Sequence, residues 1–316
     1  MSGWAASIEA ARRRIRGLVV ETPLVSWENG LWLKCENAQV TGSFKLRGAL
    51  NKVLGLSPAD VEAGVVAASA GNHGQGVAYA AGLVGAAATI VVPDDAVRRK
   101  VAAIRRLGAE VVEIPGGYGA AEIAGRRLAQ ERGAVWVSPY NDADVIAGQG
   151  TIGLELLDQL PRGPAFDVYV PVSGGGLVSG IGLALEAEGG RLRVFAVQVE
   201  HAAYMRALFL GQDASHVVET PTMADGLSGP VEAGSMTIGL VRRVVEDVLL
   251  VSEAEVLGAM RLAWVERSLP MEASAAVALA AATRPGMGDR LRVVVVSGGN
   301  VPIEALQGLA GGEVRT

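Results

Sequence analysis

Along most of the chain, short unbroken apolar runs alternate with longer stretches of helical spacing. GVVAASA (64–70) reads as a buried strand, and ATIVVP (88–93), AEVVEIP (109–115) and AVWVSP (134–139) read as strands. GNHGQGVAYAAGLVG, DDAVRRKVAAIRRLG and AAEIAGRRLAQERG fall between them and read as helices. A second series follows. A helix is expected over 147–160, a strand at FDVYVPV (166–172), a glycine turn and helix at SGGGLVSGIGLALEAEG, and a strand at LRVFAVQVE. Residues 202–240 are less regular. VEDVLLVSEAEV then holds a strand and a helix start, helices follow near 253–267 and 273–283, and RLRVVVVSGGN is a last buried strand. Before both series, 4–17 reads as a helix with a basic end from Arg12 to Arg16, and Thr22-Pro23 marks a turn. LVSWENGLWLKCE reads as a hairpin turning at Asn29-Gly30. In VTGSF, Gly42 and Ser43 break the pattern as a turn and a helix N-cap ahead of FKLRGALNKVLGL.

Repeated βα units predict an α/β fold of two domains, each a parallel-rich open sheet covered by helices, with a cleft between them. Ligands in such sheets sit beyond the carboxyl ends of strands. The chain has 316 residues, more than one typical domain, and half of them are apolar, enough for a large core.

Composition narrows the function classes. The net charge of −5 is spread along the chain, so neither a nucleic-acid nor a membrane partner is expected. Cys35 is the single cysteine, which excludes an intramolecular disulfide and a thiolate metal cluster. The N-terminus MSGWAASIEAARRRIRGLVV lacks the long apolar core of a signal peptide, and no apolar run reaches the ~18 residues of a membrane span. A cytoplasmic location is the expectation. Lysine occurs only four times, at Lys34, Lys45, Lys52 and Lys100, while arginine carries most positive charge. Lys45 opens a helix among Gly, Ser and Phe, where the helix dipole disfavours a cation. Such a lysine is either a solvated surface residue or an amine meant to lose its charge, as in a Schiff base with a carbonyl cofactor.

Three glycine-rich strand ends are further chemical candidates. SGGGLVSG (173–180) follows a strand and opens a helix, an arrangement whose free amides suit a phosphate or serve only close packing. It has neither the G-x-G-x-x-G fingerprint nor the P-loop Gly-Lys-Ser/Thr, so neither a dinucleotide nor a nucleoside triphosphate is indicated. SAGNHGQG (69–76) sets Asn72 and His73 at a helix mouth, where Asn72 can donate to a ligand oxygen and His73 serves capping or packing before base chemistry. SGGN (297–300) puts the Ser297 hydroxyl at a strand end.

Taken together, KCENAQVTGSFKLRGA, SAGNHGQGVAYAA, IAGQGTIGLEL, PVSGGGLVSG, ADGL and VVVVSGGN resemble, in order and spacing, the threonine and serine dehydratases. These are pyridoxal 5'-phosphate (PLP) enzymes of fold type II, the tryptophan synthase β-like fold, and the resemblance runs from Thr22 to about Val301. It implies that Lys45 carries the cofactor as a Schiff base and is the catalytic residue. It implies that Phe44 packs on the pyridine ring, that Asn72 bonds the ring hydroxyl, and that Ser297 sits beside the ring nitrogen. Ser173, Gly174, Gly175, Gly176 and Leu177 match the phosphate cradle, and Ser69, Ala70, Gly71 and His73 match the loop that receives the substrate carboxylate. The implied domains are 1–43 with 141–316, a large PLP-binding domain, and 44–140, a smaller inserted domain closing over the substrate. The implied reaction converts a 3-hydroxy amino acid, L-threonine or L-serine, to a 2-oxo acid and ammonia. A homo-oligomer, dimer or tetramer, is the implied assembly.

Two departures bear on the reaction. Similar serine racemases place a second serine, the opposite-face base, where this chain has Ala70, which argues against racemisation. Their divalent-metal site needs an aspartate where this chain has Arg206, six residues after Glu200, so no metal is expected there and Glu200 is expected to be structural or paired with an arginine. MEASAAVA, near Glu272, departs from the usual family pattern as well. The chain ends soon after the last strand, so no regulatory domain and no isoleucine feedback are expected. The alternatives are a racemase-like isomerase and β-elimination on a bulkier 3-hydroxy amino acid, a phenylserine or one derived from hydroxyectoine. Outside this scaffold they are a non-catalytic ligand-binding protein and a Rossmann-type oxidoreductase.

Overall fold

A computed structural model of the protein describes residues 3–285 and 290–311. In chain order its strands are β1 Leu24–Ser26, β2 Leu31–Lys34, β3 Val65–Ala68, β4 Ala88–Pro93, β5 Glu110–Ile114, β6 Val135–Trp136, β7 Phe166–Pro171, β8 Leu192–Val199, β9 Asp247–Val251 and β10 Leu291–Val295. Its α-helices are α1 Gly3–Ile15, α2 Lys45–Val53, α3 Pro58–Ala63, α4 Asn72–Val84, α5 Arg98–Arg106, α6 Tyr118–Arg132, α7 Ala143–Gln159, α8 Gly176–Leu185, α9 Tyr204–Phe209, α10 Met236–Val244, α11 Glu253–Arg267, α12 Ala273–Ala282 and α13 Ile303–Gly311. They form two compact units. One holds the residues up to Val19 and Lys45–Thr151; the other holds Val20–Phe44 and the residues from Ile152 on.

In the first unit four parallel strands run in the order β5-β4-β3-β6. Strand side chains alternate between faces, and both faces are covered. Val65, Ala67, Ile90 and Val92 join Leu46, Leu50, Val77 and Ile104 in one core. Val66, Ala68 and Val91 join Ala121 and Ala129 of α6 in another. That is why β3 and β4 read as nearly unbroken apolar runs, while the edge strand β5 keeps Glu110 and Glu113 and has no fully buried residue. Helix α1 buries Ile8, Ala11 and Ile15, a stripe at helical spacing, and Ile15 belongs to the same core as Leu46 and Leu50 of α2. The expected domains gave residues 1–43 to the larger body and cut at 140. In the structure α1 lies with α2, and the chain passes from one unit to the other inside α7, at Thr151.

The second unit has a six-stranded sheet, β1-β2-β10-β7-β8-β9, parallel except for the β1–β2 hairpin. Asn29, in the left-handed region at φ 56°, makes the hairpin turn that Asn-Gly predicts. Val168 and Val170 of β7 face one core and Tyr169 the other. Helix α12, ASAAVALAAA, is buried along its whole length, and its small side chains allow that. Lys34 stands out in the apolar strand β2. Its amine is fully buried, 2.5 Å from Glu155 and donating at 2.7 Å to the Thr22 carbonyl, so the charge is paired inside the unit. Among the described residues no helix is long and apolar enough to cross a membrane.

Candidate active site

The first unit carries Lys45 and the mouth of α4. Lys45 is the first residue of α2. Its Nζ donates to the Pro139 carbonyl at 2.9 Å. The residue keeps partial exposure while its amine lies among densely packed protein atoms, and this desolvation lowers its pKa to about 8. At pH 7 roughly one such amine in ten is neutral, against roughly one in 3,000 for an ordinary lysine. Helix α4 lies against Lys45 because Gly76 has no side chain: a Cβ there would sit 3.3 Å from the Lys45 carbonyl.

Asn72 and His73 are the first two residues of α4, so their amides have no intrahelical acceptor. Ser69 leads into this turn, its hydroxyl accepting the Gly71 amide at 3.1 Å, and Ala70 packs against the core of the unit. His73 is buried and its Nε2 lies 2.9 Å from the Val137 carbonyl, as a donor in the neutral ring. Burial, reinforced by the Lys45 charge, lowers its pKa to about 3. The ring is thus an anchor, and what His73 offers at the helix mouth is its amide.

The second unit carries Phe44, the glycine loop and Ser297. β10 pairs with β7 in register Val294↔Tyr169, so Ser297 and the loop after Val172 leave the carboxyl ends of neighbouring strands. Phe44 donates its amide to the Ser297 carbonyl at 3.0 Å, Ser43 bridges to Gly298, and the Phe44 ring packs at the edge of the core. Ser43 does not act as the expected N-cap. Its hydroxyl is buried without a hydrogen-bond partner, and Phe44 occupies the cap position. Ser173 and Gly174 lead to Gly175, which stands at φ 88° directly before α8; Gly176 and Leu177 form its first turn. A Cβ on Gly175 would meet Met205 Cε and Thr237 Cβ at 3.0 Å and Val241 Cγ2 at 3.1 Å. No acidic residue lies in the first turn of α8.

Two participants carried no sequence signal. Thr237 holds the loop from behind, donating to the Gly174 carbonyl at 2.6 Å, and lies 2.7 Å from the Ser235 hydroxyl at the N-cap of α10. The Ser-Met-Thr triplet fits a cap but says nothing of the loop it reaches. The Pro139 carbonyl is a backbone group and leaves no mark in residue identity. MEASAAVA gains a definite place as well. Glu272 accepts the Asn300 amide at 2.7 Å, and Ser274 accepts the Gly226 amide at 3.1 Å, so this stretch holds both SGGN and ADGL. Arg206 is committed to β9, donating to the Asp247 carboxylate and the Val248 carbonyl.

These groups fit a cofactor with an aldehyde and a phosphate. A desolvated amine suits the aldehyde. A helix start with unpaired amides and a position that admits only glycine suits the phosphate. Comparison with known proteins agrees. Residues 15–299 match the family model of the pyridoxal-phosphate dependent enzymes. The L-threonine ammonia-lyase of Thermotoga maritima is 39% identical over 307 residues, 95% of this chain and 76% of its own length. A serine racemase of Dictyostelium discoideum superposes with a TM-score of 0.85 at 34% identity, over 94% of this chain and 98% of that one. The processed form of threonine deaminase isoform 2 from Solanum lycopersicum gives a TM-score of 0.87 at 30% identity, over 98% and 92%. Matched over residues 15–299 and 39% identical to that ammonia-lyase, the chain belongs to the pyridoxal-phosphate dependent enzyme family.

Proposed function

We propose that the protein is a hydroxyamino-acid dehydratase that converts L-threonine or L-serine to a 2-oxo acid and ammonia. The observation that carries this reading is the desolvated Lys45 amine on the Pro139 carbonyl, beside a helix mouth where Ala70 has no proton to give. Lys45 would hold the cofactor. Gly174, Gly175, Gly176 and Leu177, with Ser173, would hold its phosphate, Asn72 its ring hydroxyl, Phe44 its ring face and Ser297 its ring nitrogen. Bound PLP supplies an electron sink for charge developing at the substrate Cα.

The protein's own groups do the rest. The turn from Ser69 through His73 presents amides to the substrate carboxylate, and the buried His73 ring keeps that turn rigid. Lys45, as a free amine, takes the α-proton and returns it to the departing β-hydroxyl, which leaves as water. The Pro139 carbonyl orients the Lys45 amine between these transfers. Ser297 is a neutral hydroxyl and does not enforce protonation of the ring nitrogen as a carboxylate would. That limits how much charge the ring takes up and favours elimination. On the opposite face Ala70 can neither remove nor deliver a proton, so the configuration at Cα is not exchanged. In keeping with this reading we take the protein to be cytoplasmic and a homo-oligomer acting on a small amino acid.

The racemase reading is the rival, since serine racemases share the fold. Pyruvate and D-serine measured in one reaction with L-serine decide between them. Pyruvate should exceed D-serine by at least about tenfold, the factor a 1.4 kcal/mol difference in barrier gives. D-serine in excess would overturn the proposal.

A further inference from the structure

Lys52 lies seven residues after Lys45 on α2, almost two full turns, so the two amines share one face of the helix. Both reach the same segment of the first unit. Lys45 holds the Pro139 carbonyl at 2.9 Å, and Lys52 holds the Asp142 carboxylate at 2.8 Å. Asp142 is doubly engaged. One oxygen caps α7, accepting the amides of Asp144 at 2.8 Å and Val145 at 3.2 Å; the other takes Lys52. Lys52 also reaches Asp144 at 3.2 Å, and the neighbouring Asn51 donates to the Asp144 carbonyl at 2.7 Å. Arg14 of α1 in turn donates to the Asn51 side chain at 2.6 Å. At the other end of the segment His73 holds the Val137 carbonyl, and the buried Ser138 hydroxyl accepts the Asn141 amide at 3.0 Å.

Burial works against the Lys52 charge, but the hydrogen bonds and charges of Asp142 and Asp144 outweigh it and raise its pKa. The pair is therefore a settled ion pair. It is also half-buried, which separates it from an exposed pair of little worth.

We propose that Lys52 is a positioning residue for Lys45: through Asp142 it fixes the segment from Val137 to Asp142 against α2 and so keeps the Pro139 carbonyl on the catalytic amine. The segment is held from three sides, by His73, by Lys45 itself and by Lys52. Lys52 grips the segment at Asp142, three residues along from the carbonyl that Lys45 holds. This inference rests on Lys45 being the cofactor-bearing amine, and its test does not depend on turnover.

The full-length protein is stripped of cofactor, and its fold is checked by far-ultraviolet circular dichroism. It is then reductively methylated with formaldehyde and cyanoborohydride across a pH series. Mass spectrometry of the Lys45 peptide gives the pH at which that amine reacts at half its limiting rate. The charged and titratable groups facing the segment are His73 from α4, Lys45 and Lys52 from α2, and Asp142 and Asp144 at the start of α7.

In the unaltered protein the midpoint falls near the pKa of about 8. In Asp142→Asn, which keeps the cap but loses the shorter of the two Lys52 ion pairs, and in Lys52→Met, which loses both, the loosened segment lets water reach Lys45. The midpoint then moves up by about one pH unit, a roughly tenfold slower reaction at pH 7. Lys52→Arg keeps the pair and the midpoint. The sign in Asp142→Asn is diagnostic, because losing a nearby negative charge through space alone would lower the midpoint. An unmoved or lowered midpoint in folded Asp142→Asn overturns the positioning role. Failure of the underlying reading looks different: Lys45→Ala would still hold PLP in a bond that borohydride reduces.

Discussion

Lys45 carries a cost that its proposed role explains. Its pKa of about 8 means that the folded, cofactor-free protein binds fewer protons there than the unfolded chain between about pH 8 and the ordinary 10.5. Below pH 8 the fold bears a buried charge in full; as pH rises through that window the penalty disappears and stability rises. Lys45→Met should therefore stabilise the cofactor-free protein at pH 7, and the gain should shrink toward pH 10.5. Urea unfolding midpoints at pH 7 and pH 10 measure this, and equal gains at both would contradict a lowered pKa. The residue stands out in the sequence through rarity and place, as one of four lysines, set among Gly, Ser and Phe, and the structure does put it at the start of a helix. Its partner was not, because a backbone carbonyl such as that of Pro139 has no residue signature. Ser43 misled for a related reason. A serine before a helix satisfies the capping pattern, yet pairing of Ser43 and Phe44 with Gly298 and Ser297 fixes the backbone there instead.

Among the elements, α8 and α4 present the same device, a helix opening out of a strand end, where the first amides have no acceptor within the helix. Gly175 shows how tightly the first of them is built. Its φ of 88° is a left-handed conformation, and an alanine methyl would press on Met205, Thr237 and Val241. Gly175→Ala should cost about 1–3 kcal/mol of stability from backbone strain and crowding together. It should also weaken PLP binding by about tenfold, since a shift of the loop moves the amides off the phosphate. Denaturant unfolding and a cofactor titration test the two parts; unchanged PLP affinity in a destabilised protein would show that the loop is only a packing turn. The glycine run itself was readable, but Thr237, which holds it from behind, was not. That contact joins elements 63 residues apart, and no local pattern encodes it.

For the whole molecule, the alternation of apolar runs and helical stretches predicted both parallel sheets, because strands covered on two faces leave few polar positions. The β1–β2 hairpin was readable as well, through Asn29-Gly30. The division of the chain was harder. Helix α1 is amphipathic by its own sequence, but nothing local says that its apolar stripe of Ile8, Ala11 and Ile15 belongs with α2. A buried pair such as Lys34–Glu155 is equally invisible, since its members lie far apart in the chain. Purified protein with PLP and L-threonine, compared with Lys45→Ala under the same conditions, is the most direct measurement of the function assigned to this fold. Steady release of 2-oxobutyrate and ammonia in equal amounts, reduced by about 10³-fold or more in Lys45→Ala, is the result the proposal requires. Release of oxo acid at the same rate without Lys45, or none at all from a protein that holds PLP, would contradict it.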